Sequence, residues 1–405
     1  MRLSSKSKPY MIPEYSLTGD LLSYLTCGLQ YRYQNKGTLP PSMPVQLWFG
    51  EFIHGVMEEA YMKWENDKTP FPWDWKKDIR PIEDIIDLRL QIRGLYPPAN
   101  HFFTINHPEI EMEIEDLNEY DHKKLASARA EKAINVWGSD LFPLMDSAEV
   151  LIKGLRDMPY TKNDKRSKYY GINGVIDVLS LVNINEDNKI VKYLKQNDEF
   201  NKLVSEYGED EYEIIIDYKG MKRPPCDVSG SGNENWDYHE RQILTYSWLR
   251  QKQEGKKPIA GIIFYLNELV PSIEDLKLIK EDLYYHLTDV GDSEEYRDDI
   301  ELIENWSEDA EMPKLSEKFK IDRSIRIIPI NEKKINEALE KFDDVVYNTQ
   351  RLRIVCSSDN VEHRSKNHSY SNGVCNVGEE IYCLQNPLKR FDGIKAYCNK
   401  KCDDC

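Results

Sequence analysis

The sequence predicts an α/β fold in which a mixed β-sheet is flanked by helices, and three observations predict it. YYGINGVIDVLSLV, residues 169–182, is apolar on both faces around Asp177, as a central strand is. EYEIIIDYKG, residues 211–220, carries three consecutive isoleucines and reads as a second buried strand. VQLWFGEFIHGVMEEAYMKW, residues 45–64, has apolar ridges at spacing four, the mark of a packed helix.

The remaining elements follow in chain order. Residues 16–34 look helical, with Thr18 as N-cap and Leu21, Leu22, Leu25 and Leu29 on one stripe. In 45–64 one ridge is Trp48, Phe52, Val56, Ala60 and Trp64, and the next is Phe49, Ile53, Met57 and Tyr61. Gly50, His54 and Glu58 share a different face of that helix. A helical insertion is expected over about 85–165, interrupted by EIEMEIE at 109–115, a strand with one charged face. Residues 183–210 are polar and read as an elaborated hairpin connection, and 221–236 as a mobile loop rich in Pro, Gly, Ser and Asn. A helix at 237–253 and a strand at 259–270 close a core expected to span 1–270. Residues 271–345 are acidic and helical in pattern, and 346–405 form a Cys-rich tail.

Composition sets outer limits. The chain has 405 residues, 40% hydrophobic and 11% aromatic, enough for a substantial core. No apolar run approaches the roughly eighteen residues of a membrane span, and MRLSSKSKPYMIPEY lacks the apolar core of a signal peptide. A cytoplasmic protein without membrane contact is expected. The formal net charge of −17 argues at first against a polyanionic partner, but nucleic-acid contact depends on local patches and on bound cations.

Chemistry concentrates at the end of the isoleucine strand. Asp217 and Lys219 are two apart, so a strand points both to one side. Alone, D-x-K is most simply an ion pair. If Asp177 of the neighbouring strand faces the same place, two carboxylates converge beside a lysine and make a site for Mg²⁺ or Mn²⁺. The lysine could then orient or deprotonate an activated water, or neutralise charge on a phosphodiester. His54 can ligate Mn²⁺, with Glu58 one turn on as its support or as a further ligand. Gln242 and Tyr246, four apart on the following helix, can touch the site or a DNA backbone. Lys222, Arg223 and Arg241 put positive charge near it, fitting phosphate contact. EIEMEIE reads mainly as a solvated face, though Glu109 or Glu111 could approach the metal.

The order G-x-x-x-H (Gly50 to His54), G-x-I-D (Gly174 to Asp177), I-D-Y-K (Ile216 to Lys219) and Q-x-x-x-Y (Gln242 to Tyr246) resembles the RecB-type nucleases of the PD-(D/E)XK superfamily. The resemblance covers residues 16–270 and implies a restriction-endonuclease-like core. It implies His54, Asp177, Asp217 and the Tyr218 carbonyl as metal ligands, and Lys219 as the catalytic lysine. Its AddB-like and CRISPR-associated branch carries a 4Fe–4S cluster, one ligand from a helix before the histidine and three from a C-terminal knot. Cys27, in SYLTCGLQYRY, matches the first position although Gly28 replaces the usual proline, and Cys398, Cys402 and Cys405 are the best terminal trio. The tail spacing C-x3-C-x2-C departs from the family's C-x2-C-x5-C. A zinc site within the tail, recruiting Cys375 or Cys383, is the alternative, and free thiols are a third reading. Cys356 has no assigned role, and Cys226 reads as a free thiol in the loop.

The expectation is therefore a divalent-metal-dependent DNA nuclease, an exonuclease on single-stranded or end-bearing DNA that hydrolyses phosphodiesters with metal-activated water. DNA repair, CRISPR adaptation and anti-phage defence all suit it. No G-x-x-x-x-G-K-S/T motif occurs, so unwinding would come from a separate helicase or a CRISPR or defence partner. The rival readings are a metal-stapled DNA-end binder without catalysis and a restriction-type endonuclease.

Overall fold

The computed structural model describes residues 12–26, 31, 45–97, 121–159 and 167–351, with short breaks at 228, 230–231, 256 and 292, and the pairs 370–371 and 374–375. In chain order the elements begin with β1 (Glu14–Ser16), a π-helical turn (Leu17–Leu22) and α1 (Ser23–Thr26). Helices α2 (Val45–Asp67), α3 (Arg80–Ile92) and α4 (Asp121–Leu141) precede β2 (Met145–Asp157) and β3 (Tyr169–Asn183). Helices α5 (Lys189–Lys195) and α6 (Asp198–Tyr207) lead to β4 (Glu211–Lys219), α7 (Glu234–Glu254) and β5 (Ala260–Tyr265). Then come α8 (Ile273–Tyr284), α9 (Arg297–Asn305), α10 (Glu317–Ser324), β6 (Ile325–Pro329) and α11 (Glu332–Arg351).

The sheet is mixed and the fold is α/β. β3 and β4 are antiparallel, β4 and β5 parallel, β5 and β6 antiparallel, and β2 runs antiparallel along β3. Leu179 of β3 pairs with Ser147 on one side and Ile215 on the other, and Gly171 pairs with Leu155 and Glu14. β1 and β4 therefore share one edge of β3, and β3 residues 174–177 have no strand partner on that edge among the described residues. The motif residues gather at this notch.

Both sheet faces are covered, which explains the isoleucines. Ile214 and Ile216 pack with Phe52, Val56 and Trp137 of α2 and α4. Ile215 packs on the opposite face with Ile243, Leu249 and Phe342 of α7 and α11. A central strand buried on both sides has to be apolar at every position. The ridges foreseen on 45–64 are buried from Trp48 to Tyr61 against this sheet.

Several expectations need correction. The supposed helical insertion at about 85–165 contains β2, a 13-residue strand. It was illegible because an edge strand half in solvent buries only Met145 and Ile152 and shows no continuous apolar run. The core does not end at 270, since β6 supplies a further strand from within the acidic segment. The N-cap of the first turn is Ser16, whose side chain accepts from Gly19 N, and not Thr18. The 183–210 connection joins antiparallel strands as expected, but through α5 and α6. The start of the 221–236 segment is packed, not a mobile loop: Lys222, Arg223 and Cys226 are buried, and Cys226 N donates to Leu287 O at 3.1 Å. Burial pushes the Cys226 thiol up to about 12, so it is an inert core residue. Glu109 and Glu111, and Cys27, Cys356, Cys375, Cys383, Cys398, Cys402 and Cys405 as metal ligands, lie outside what the described side chains cover.

Candidate active site

Four elements bring the motif residues together. α2 contributes His54, β3 contributes Asp177, the end of β4 contributes Asp217 and Lys219, and α7 contributes Gln242 and Tyr246. All six line one cleft of about 580 Å³, which also takes Gly50 and Glu58 from α2, Arg89 from α3, Arg93 just after it, and Glu149 from β2.

The polar contacts form one connected chain. His54 Nε2 donates to the Tyr218 carbonyl oxygen at 2.8 Å, while its Nδ1 lies 3.4 Å from Asp177 Oδ2. That same Asp177 oxygen accepts from Tyr218 N at 3.0 Å. Lys219 Nζ stands 2.6 Å from Asp217 Oδ2 and donates to Gln242 Oε1 at 2.9 Å. Gln242 Nε2 donates to Asp217 Oδ1 at 2.8 Å and to Tyr246 Oη at 3.2 Å. Gln242 thus holds both members of the D-x-K pair with one amide, using its acceptor on the lysine and its donor on the carboxylate.

Local sequence explains the approach of α7. A Cβ on Gly174 would sit 2.7 Å from Tyr246 Cε1, so the G-x-I-D glycine is the floor on which the Tyr246 ring rests. A Cβ on Gly50 would meet nothing within 4 Å, so that glycine simply keeps the α2 side of the cleft open.

The electrostatics are those of charges in a poorly solvated pocket. Burial opposes a charge on His54, but Asp177 and then Asp217 outweigh it and lift the imidazole to about 9. Burial also raises Asp177, yet His54, Lys219 and the Tyr218 N–H together pull it below the usual carboxylate range. Asp217, 1% exposed, is raised by burial and by the like charge of Asp177, with Lys219 opposing. Lys219 is held above its ordinary value by Asp217 and Asp177 in spite of burial, so it stays an ammonium ion.

Not every expected residue belongs here. Lys222 is buried against Asp282, and Arg223 is buried against Asp289 with further bonds to the Arg323 and Ile325 carbonyls. Neither lines the cleft, because the loop carrying them folds back onto 271–345. Arg241 pairs with Asp237 at 3.3 Å and also lies outside the cleft lining. The cleft's exposed cations come from α3 and its C-cap: Arg93 pairs with Glu51 at 2.7 Å and Arg89 with Glu59, both in water.

Glu149 was missed altogether. Ala148 pairs with Val178 and Val150 with Ile176, which leaves Glu149 opposite Asp177. Ala148 and Val178 face the α2 and α4 core, whereas Val150 and Ile176 face the α7 core, so both strands reverse their facing across these two acids. Glu149 absorbs the reversal with φ +50°, a left-handed conformation unusual for its type. One donor atom from each of His54, Glu149 and Asp177 lies within 4.8 Å of the other two. Burial, then Asp177 and Glu58, raise the Glu149 carboxyl. A lone acid on a weakly patterned edge strand carries no sequence signal.

No protein-family model matches the chain, and no curated protein matches it. Among the described residues no helix is long and apolar enough to cross a membrane.

Proposed function

We propose that this chain is a divalent-metal-dependent DNA nuclease with a RecB-type, restriction-endonuclease-like core that digests single-stranded or end-bearing DNA. The observation that carries the reading is the convergence of His54, Asp177, Asp217, Lys219 and Gln242 on one cleft at the notch beside β3. One imidazole, two carboxylates and the Tyr218 carbonyl are a donor set suited to Mg²⁺ or Mn²⁺. A cation held there supplies Lewis-acid activation of water and phosphate. Lys219 contributes a fixed ammonium at the cleft, positioned by Asp217 and Gln242, to neutralise charge that develops on the phosphodiester. Arg89 and Arg93 are the cations free to turn from exposed carboxylate partners to a DNA backbone, since surface pairs of this kind are weak. Unwound ends would reach it from a separate helicase or from a CRISPR or defence partner.

The test is digestion of linear single-stranded, linear duplex and circular DNA with Mg²⁺ or Mn²⁺. End-dependent digestion is expected, falling more than about a hundredfold in Asp217→Ala and Lys219→Ala. Unchanged cleavage in both variants refutes the assignment, and cutting of the circle makes the protein an endonuclease.

The reading extends to a 4Fe–4S cluster on Cys27, Cys398, Cys402 and Cys405. It would tie the chain's first helical segment, anchored where Tyr238 Oη donates to Leu25 O at 2.8 Å, to its last residues. Protein purified without oxygen should be brown and contain iron, and Cys27→Ser should bleach it. Colourless protein with one equivalent of zinc would replace the cluster by a tail site.

A further inference from the structure

One carboxylate stands against the two residues on which the cation site begins, and it belongs to none of the four motifs. The β2–β3 register sets Glu149 opposite Asp177, and donor atoms of Glu149, His54 and Asp177 lie within 4.8 Å of one another. Donors around a cation at ~2.1 Å sit about 3 Å apart when adjacent and about 4.2 Å apart when opposed. The observed spacing is therefore within a side-chain adjustment of a chelating set.

Asp217 is placed differently. One of its oxygens is 2.6 Å from Lys219 and the other accepts from Gln242, so both are engaged within the protein. The Glu149 carboxylate makes no hydrogen bond or ion pair to any described residue, and its side chain lines the cleft. We propose that Glu149 is a direct ligand of the active-site cation, which His54, Glu149 and Asp177 capture before substrate binds, while Lys219 and Gln242 hold Asp217 back. This rests on the metal-dependent nuclease reading above and departs from its four-donor set. Two carboxylates and an imidazole make a site that prefers Mn²⁺ to Mg²⁺, because the imidazole nitrogen favours the transition metal.

Mn²⁺ binding to the full-length protein without DNA separates the possibilities, read from the electron paramagnetic resonance signal of free Mn²⁺. Glu149→Gln should weaken binding about tenfold or more, and His54→Ala and Asp177→Ala should do the same, whereas Asp217→Asn should stay within about threefold. Glu149→Asn is the second variant, because asparagine tolerates the left-handed backbone and removes the carboxylate while keeping the fold. Unchanged affinity in both Glu149 variants, with binding lost in His54→Ala, overturns this assignment and leaves the nuclease reading intact. If the unmodified protein binds no Mn²⁺ and cleaves no DNA, both fall together. Equal losses in Asp217→Asn and Glu149→Gln would overturn the proposed order of capture.

Discussion

Gln242 shows how much one side chain can organise. It is 5% exposed and satisfied through Lys219, Asp217 and Tyr246 at once. Its spacing to Tyr246 was legible on the helix, whereas its amide bridging the D-x-K pair was not, because that needs the distance between α7 and β4. A second buried polar residue, away from the site, allows a prediction of pH dependence. Glu83 is fully buried and accepts from Ser127 Oγ at 2.6 and 2.7 Å and from Trp75 Nε1 at 3.3 Å. Burial raises its carboxyl from 4.5 to about 7, so folding favours the neutral acid. For a raised acid the stabilising contribution is present below the unfolded value and is lost as pH rises through the folded one. Glu83→Gln should therefore leave stability nearly unchanged near pH 4.5 and increase it at pH 8, by up to about 3 kcal/mol. Denaturant unfolding at the two pH values checks this, and an equal difference at both would sink it.

At the scale of elements, legibility followed burial. α2, β3, β4 and α7 were readable because each presents long apolar ridges or runs to a core. β2 was not, and with it went Glu149. The α7–β3 contact makes a further prediction. Gly174→Ala forces a methyl to within 2.7 Å of Tyr246 Cε1, so the ring must move and take Gln242 with it. Overpacking of this kind costs about 1–3 kcal/mol. The proposed nuclease activity should fall about tenfold or more, with the folded state still populated by circular dichroism. Full activity in Gly174→Ala would show that Tyr246 and Gln242 do not need this seat.

At the scale of the whole molecule, the acidic segment is joined to the sheet by buried ion pairs. Its own small core gathers Leu276, Ile279, Leu283, Ile303, Trp306 and Phe319. Arg129 meets Asp275 at 2.6 Å, Lys222 meets Asp282, and Arg323 meets Glu268 at 2.7 Å with both side chains 1% exposed. Lys222, and Arg223 on Asp289, make the loop after β4 one of these struts, which is why neither is available to a phosphate. Arg323→Met should destabilise by about 3–5 kcal/mol, since it strands the buried Glu268 charge. Adding Glu268→Met should restore a large part of the loss, and thermal unfolding of the single and double variants decides. A double variant as unstable as the single would mean that packing, not the stranded charge, sets the cost.

By itself the sequence determined the buried strands, the long packed helices and the motif residues His54, Asp177, Asp217, Lys219, Gln242 and Tyr246 that the cleft brings together, because hydrophobic periodicity and short spacings are local properties of the chain. Tertiary structure alone decided three further points: that β2 borders the site and β6 completes the sheet, that Glu149 faces His54 and Asp177, and that Lys222 and Arg223 point into the protein. Each depends on pairings between residues far apart in sequence, and long-range register leaves no trace in local pattern when the strand is half in solvent or the charge is buried against a distant partner.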